Sequence, residues 1–144
     1  LTTGKIVIRL RPDLAPGHVA RVKELARSGF YDGTVFHRVI EGFMAQGGDP
    51  TGTGAGGSKL PPLKAEFSQT PFVRGMVAAA RTSDPNSANS QFFIMFTRYP
   101  SLDGKYTIWG EVVSGMEFGD AIKKGEPPAN PDRIIKAQIA ADVK

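Results

Sequence analysis

The stretch Phe36-His37-Arg38-Val39-Ile40-Glu41-Gly42-Phe43-Met44-Ala45-Gln46-Gly47-Gly48-Asp49 decides the reading of this chain. It reads as two short β segments, broken at Glu41-Gly42 and closed by a turn at Gly47-Gly48. Period-2 alternation puts Phe36, Arg38 and Ile40 on one face and His37 and Val39 on the other. An arginine then shares a face with two large apolar side chains. Phe43, Met44 and Gln46 follow: an aromatic ring, a soft thioether and an amide. Together they describe a concave apolar pocket with one fixed cation at its edge.

Working outward, Leu1 reads as the end of a strand, Thr3-Gly4 as a turn and Lys5 to Leu10 as a strand with Ile6, Ile8 and Leu10 inward. A helix follows, with Pro16 suited to its first turn and Gly29 to its C-terminal cap. Val19, Val22, Leu25 and Ala26 form its apolar stripe; Arg21, Lys23, Glu24 and Arg27 are expected in solvent, and His18 on the surface. Asp32-Gly33 is a turn dipeptide. On the far side, residues 50–59 contain GxGxxG at Gly52, Gly54 and Gly57. A dinucleotide-binding loop needs a helix after it. Leu60-Pro61-Pro62 stands there instead, and proline pairs do not carry a helix onward. The segment reads as a flexible surface loop beside the pocket.

Arg74 to Ala80 is expected as a strand, Thr82 to Ser90 as a polar loop and Gln91 to Phe96 as a strand. In that last strand Phe92, Ile94 and Phe96 face the core. Gln91, Phe93 and Met95 repeat the amide, aromatic and thioether chemistry of the opening stretch. Leu102-Asp103-Gly104-Lys105 turns the chain into a strand over Tyr106 to Val113. Ser114 can cap a short helix carrying Met116, Phe118 and Ile122. Asp132 to Ala140 reads as a closing strand with Ile135, Ala137 and Ile139 alternating. Many short strands, two helices, no repeats and no linker give one domain over residues 1–144, mainly β: an antiparallel barrel or sandwich with helical caps.

Composition narrows the function. There is no cysteine among 144 residues, which excludes a disulfide framework, a thiol nucleophile and a zinc–thiolate site. The net charge is +4, but the basic residues are scattered rather than interleaved with aromatics. A nucleic-acid partner is therefore not expected, and no apolar run approaches the ~20 residues of a membrane helix. The expected location is cytoplasmic, with a leader ahead of Leu1 left open.

The opening stretch, as FHRVIxGFMxQGGD, resembles the central signature of the cyclophilins, the cyclosporin-binding class of peptidyl-prolyl isomerases. Gly75 to Ala80, Asn89-Ser90-Gln91-Phe92-Phe93-Ile94, Leu102-Asp103-Gly104-Lys105 and Gly115-Met116 stand in the same order as similar family segments. The resemblance implies a closed eight-stranded antiparallel barrel with a helix at each end. It also implies a cofactor-free, monomeric isomerase of X–Pro bonds in protein clients, with a proline-binding module of incidental turnover as the alternative.

Carried over by position, the resemblance makes Arg38 the catalytic cation. Phe43, Met44, Phe93 and Leu102 line a proline pocket. Gln46 bonds the peptide near the rotating bond, and Gln91 and Tyr106 complete the substrate-binding set. Ala80 and Arg81 pair with the substrate backbone. The family commonly has Asn where Arg81 stands, and many members have His where Tyr106 stands. Ser101 occupies the place of a tryptophan in cyclosporin-sensitive members, which implies weak or no cyclosporin binding. His37 reads as a buried, hydrogen-bonded residue that positions its strand.

Overall fold

The computed structural model describes residues 4–54, 56–126, 128 and 131–139. Its strands are β1 (Val7–Leu10), β2 (Arg38–Ile40), β3 (Met44–Gly47), β4 (Met76–Ala79), β5 (Phe92–Met95) and β6 (Ile108–Ser114). The helices are α1 (Pro16–Arg27) and α2 (Met116–Asp120), and a 3₁₀ turn spans Pro100–Leu102. The six strands form one antiparallel sheet in the order β1-β6-β4-β5-β3-β2.

The expected eight-stranded closed barrel is thus corrected: among the described residues the sheet has six strands, and its edges β1 and β2 do not pair. Two segments that run alongside it fall short of strands. Leu63 makes a single bridge to Ala88, in a stretch where Pro61 and Pro62 offer no N–H to a ladder. The tail accompanies residues 33–36 through Gly33 N–H to Ile134 O, Ile134 N–H to Thr34 O and Phe36 N–H to Asp132 O. It does not become the expected strand: Val35 and Arg133 make only an isolated bridge, and Ile135 is 60% exposed. The Leu1 strand end, Thr3 of the first turn and Ala140 lie outside the described residues.

Alternation along the strands divides the apolar residues between two clusters. Val39, Ala45, Val77, Ala79, Phe92, Ile94 and Trp109 join Val19 and Leu25 of α1 in one. Met44, Ala78, Phe93, Met95 and Ile108 form the other with Phe72. Phe36 belongs to the first, beside Val39. The expectation that it shares a face with Arg38 is therefore corrected; the regular strand begins only at Arg38, so strict alternation does not extend back to Phe36.

The helices also depart from their sequence reading. His18 and Arg21 are buried, at 1% and 8% exposure. No residue of α1 caps its own N-terminus. Instead the Glu66 carboxylate, from a loop 48 residues away, accepts from the His18 amide at 2.9 Å and meets its Nδ1 at 2.6 Å. It also accepts from the Gly17 amide at 3.2 Å. A carboxylate there satisfies orphan donors and the positive end of the helix dipole. Arg21 reaches the Pro61 carbonyl at 2.7 Å. Ser114 ends β6 rather than capping α2. The cap position is Gly115 at φ 83°, where a side chain would collide with the Lys5 carbonyl.

Candidate functional site

The hairpin of β2 and β3 pairs Arg38 with Gln46 and Ile40 with Met44. β3 in turn pairs Gln46 with Phe93 on β5. Neighbouring strands therefore place Arg38, Gln46 and Phe93 in a row on one face. A cavity of about 140 Å³ opens there. Arg38, Phe43, Met44, Gln46, Ala80, Arg81, Phe93, Leu102 and Tyr106 line it. These are nine of the ten candidate residues read from the sequence. The floor is aromatic: Phe93 stacks on Phe72 at 6.1 Å and meets the Tyr106 ring edge-on at 5.5 Å. Phe43 at the rim packs against Tyr99 at 4.5 Å.

Gln91 stands one step back, in the wall of an adjoining cavity of about 330 Å³ shared with Gln46 and Arg81. Arg38 Nη1 donates to Gln46 Oε1 at 3.4 Å, and Gln46 Nε2 donates to Gln91 Oε1 at 2.9 Å. Gln91 Nε2 then donates to the carbonyls of Gly54 and Gly56 at 2.9 and 2.8 Å. The glycine loop rejected as a nucleotide site is thus the far anchor of the arginine's polar chain.

That loop lies at the surface beside the pocket, as expected, and its backbone converges on one buried anchor. The fully buried Asp49 carboxylate accepts from the amides of Thr51 (2.8 Å), Gly54 (2.7 Å) and Gly56 (3.0 Å) and from the Thr51 hydroxyl. Burial alone would raise its pKa. The converging donors outweigh that and hold it far below the usual carboxylate range.

His37 is buried as expected, but its Nδ1 has no partner among the described residues. Burial lowers its pKa, with Asp49 pulling against and Arg38 reinforcing the shift, so the ring stays neutral. The Arg81 guanidinium lies over the Tyr106 ring at 4.5 Å and donates to the Lys105 carbonyl through Nη2 at 2.6 Å. This gives the side chain a place in the wall, between the two cavities. The Ala80 amide already donates to Gln91 O at 3.0 Å. Sequence reasoning missed Glu126, whose carboxylate meets Arg38 Nε at 2.9 Å. No local spacing signals it, because it lies 88 residues away.

The model of the family described as cyclophilin type peptidyl-prolyl cis-trans isomerase/CLD matches residues 1–139. The chain belongs to the cyclophilins. A probable peptidyl-prolyl cis-trans isomerase of Brucella suis biovar 1 (strain 1330) is 54% identical, over all of this chain and 82% of its own length. Peptidyl-prolyl cis-trans isomerase B of Bacillus subtilis (strain 168) is 43% identical, over 85% of each chain. Among solved structures, cyclophilin AquaCyp293 from Hirschia baltica superposes with a TM-score of 0.91 at 33% identity, covering 99% of this chain and 73% of that one. A Cryptosporidium parvum cyclophilin crystallised in the presence of the dipeptide Ala-Pro gives 0.86 at 33% identity, covering 93% and 91%. This cyclophilin is a mainly β isomerase with two helices. No helix among its described residues is long and apolar enough to cross a membrane.

Proposed function

We propose that residues 1–144 form one isomerase domain that turns X–Pro bonds by holding the proline ring over Phe93 while Arg38 stabilises the twisted amide. Amide resonance sets a barrier of ~18–20 kcal/mol, and uncatalysed X–Pro bonds interconvert over tens to hundreds of seconds. No covalent bond has to break. In the twisted state the proline nitrogen is pyramidal and carries a lone pair, which a fixed cationic donor stabilises. The observation that carries this reading is the Arg38 guanidinium on the rim of an aromatic-floored cavity that, among the described residues, no carboxylate lines. The Ala-Pro dipeptide present with the Cryptosporidium cyclophilin supports the same substrate class.

Phe43, Met44, Leu102 and Tyr106 close the proline site, and Gln46 steadies the peptide beside the rotating bond. The Ala80 carbonyl and Arg81 take the substrate backbone; Gln91 acts through Gln46. A hydrogen bond to a charged group is worth ~1.5–3 kcal/mol, or about ten- to a hundredfold in rate. The remaining acceleration comes from preorganisation of a largely dry site. Exchange NMR on a short Ala-Pro peptide tests this: Arg38→Ala is expected to slow catalysed exchange by about ten- to a hundredfold. An unchanged rate would sink the mechanism. No exchange with wild type would favour a proline-binding module instead.

Ser101 is exposed in the 3₁₀ turn next to Leu102 and offers no indole N–H to a cyclic peptide drug. Weak cyclosporin inhibition follows, and tight inhibition in a titration would refute it.

A further inference from the structure

Arg38 has a second partner besides Gln46, and the backbone places it. Val39 and Gly125 form an isolated antiparallel bridge, with Val39 N–H to Gly125 O at 2.8 Å and Gly125 N–H to Val39 O at 2.9 Å. In an antiparallel pair, the residue before one partner stands opposite the residue after the other. Arg38 and Glu126 are therefore cross-strand neighbours. Val39 points into the core, so both side chains project to the cavity side. Gly125 holds this bridge at φ 143°, a conformation side-chain-bearing residues rarely adopt.

The guanidinium is thus gripped at two points. Nε donates to Glu126 Oε1 at 2.9 Å, and Nη1 points to Gln46 Oε1 at 3.4 Å. The Nη2 edge has no protein partner among the described residues. The pair is half exposed, at 45% and 56% for the two side chains, so it adds little to stability. Its effect is on orientation. An arginine side chain has several freely rotating bonds, and fixing Nε selects among its rotamers.

We propose that Glu126 is a positioning residue of the isomerase, setting the plane of the Arg38 guanidinium so that its open edge faces the proline nitrogen. This rests on Arg38 being the acting cation. The experiment is a double-mutant cycle read by exchange NMR on a short Ala-Pro peptide. Glu126→Ala is expected to lower kcat about three- to fivefold with KM little changed. Glu126→Gln, which keeps an acceptor for Nε–H, should retain most of the activity. In an Arg38→Ala background, Glu126→Ala should have no further effect. Wild-type activity in Glu126→Ala, or an equal loss in both backgrounds, overturns the inference while leaving Arg38 catalytic. An Arg38→Ala rate equal to wild type defeats the reading of Arg38 itself, and this inference with it.

Discussion

The two faces of the sheet are made from alternate residues of the same strands, yet they end differently. On one face Phe92 meets Tyr31, Phe36 and Trp109 edge-on, at 5.7, 6.1 and 6.1 Å, and α1 closes over the cluster. On the other, Phe93, the next residue, meets Phe72 and Tyr106 and leaves room above them. Composition does not separate the faces; both are aromatic and aliphatic. The difference is what covers them. A face sealed by a helix gains packing, whereas one left short of a cover keeps an apolar hollow that a ligand can fill.

Adjacent phenylalanines make that contrast testable. Phe92→Ala should cost about 3–5 kcal/mol of stability, read by urea unfolding, because a sealed cluster cannot collapse onto the gap. Phe93→Ala, at a residue as deeply buried as Phe92, should in addition cost activity, since its loss removes the proposed proline floor. If the two variants show no difference in catalysis, the distinction between the faces fails.

A smaller effect belongs to the sealed face alone. Burial lowers the His18 pKa; Glu66 opposes this and Arg21 adds to it. The unfolded imidazole takes up its proton near pH 6.5, the folded one only at lower pH. The unfolded state therefore binds more protons below about pH 6.5, and stability falls as the pH drops toward the folded value. Glu66 is also lowered: burial would raise it, but His18 and the α1 amides outweigh burial. Its contribution is complete above the ordinary carboxylate range and is lost at still more acidic pH. Unfolding midpoints measured at pH 7.5 and 5.5 should show a drop in wild type that His18→Gln flattens. Parallel profiles would remove His18 from the account. The cavity face, which no histidine lines among the described residues, should show no matching change in activity beyond loss of folded protein.

What the sequence made legible follows the same division. The alternation of β5 and the contiguous run from Phe36 to Asp49 point to Arg38, Phe43, Met44, Gln46 and Phe93, because neighbours in a ladder are set by local period; Ala80, Arg81, Leu102 and Tyr106, which complete the cavity lining, are legible only through the family resemblance. Three features stayed hidden for one reason. Glu66 capping α1, Arg21 on the Pro61 carbonyl and Glu126 on Arg38 join positions 48, 40 and 88 apart. Such pairs leave no spacing to read. The sequence alone puts His18 and Arg21 in solvent, because a polar residue in a helix defaults to water until a remote partner is known. The closed eight-stranded barrel is an implication of the resemblance, whereas the tail strand is one of alternation: Ile135, Ala137 and Ile139 alternate as a strand would, but only a single bridge forms there, Ala137 packs against the core and Ile135 is left exposed.

The strand order carries a kinetic consequence. β1 lies between residue 7 and residue 10, yet its ladder partner is β6, where Leu10 faces Gly110. The first strand cannot find its place until a hundred later residues exist, and pairings of such separation slow folding. During synthesis the N-terminal segment has to wait, unpaired, for nearly the whole domain. The first strand of this prolyl isomerase is thus among the last to find its partner.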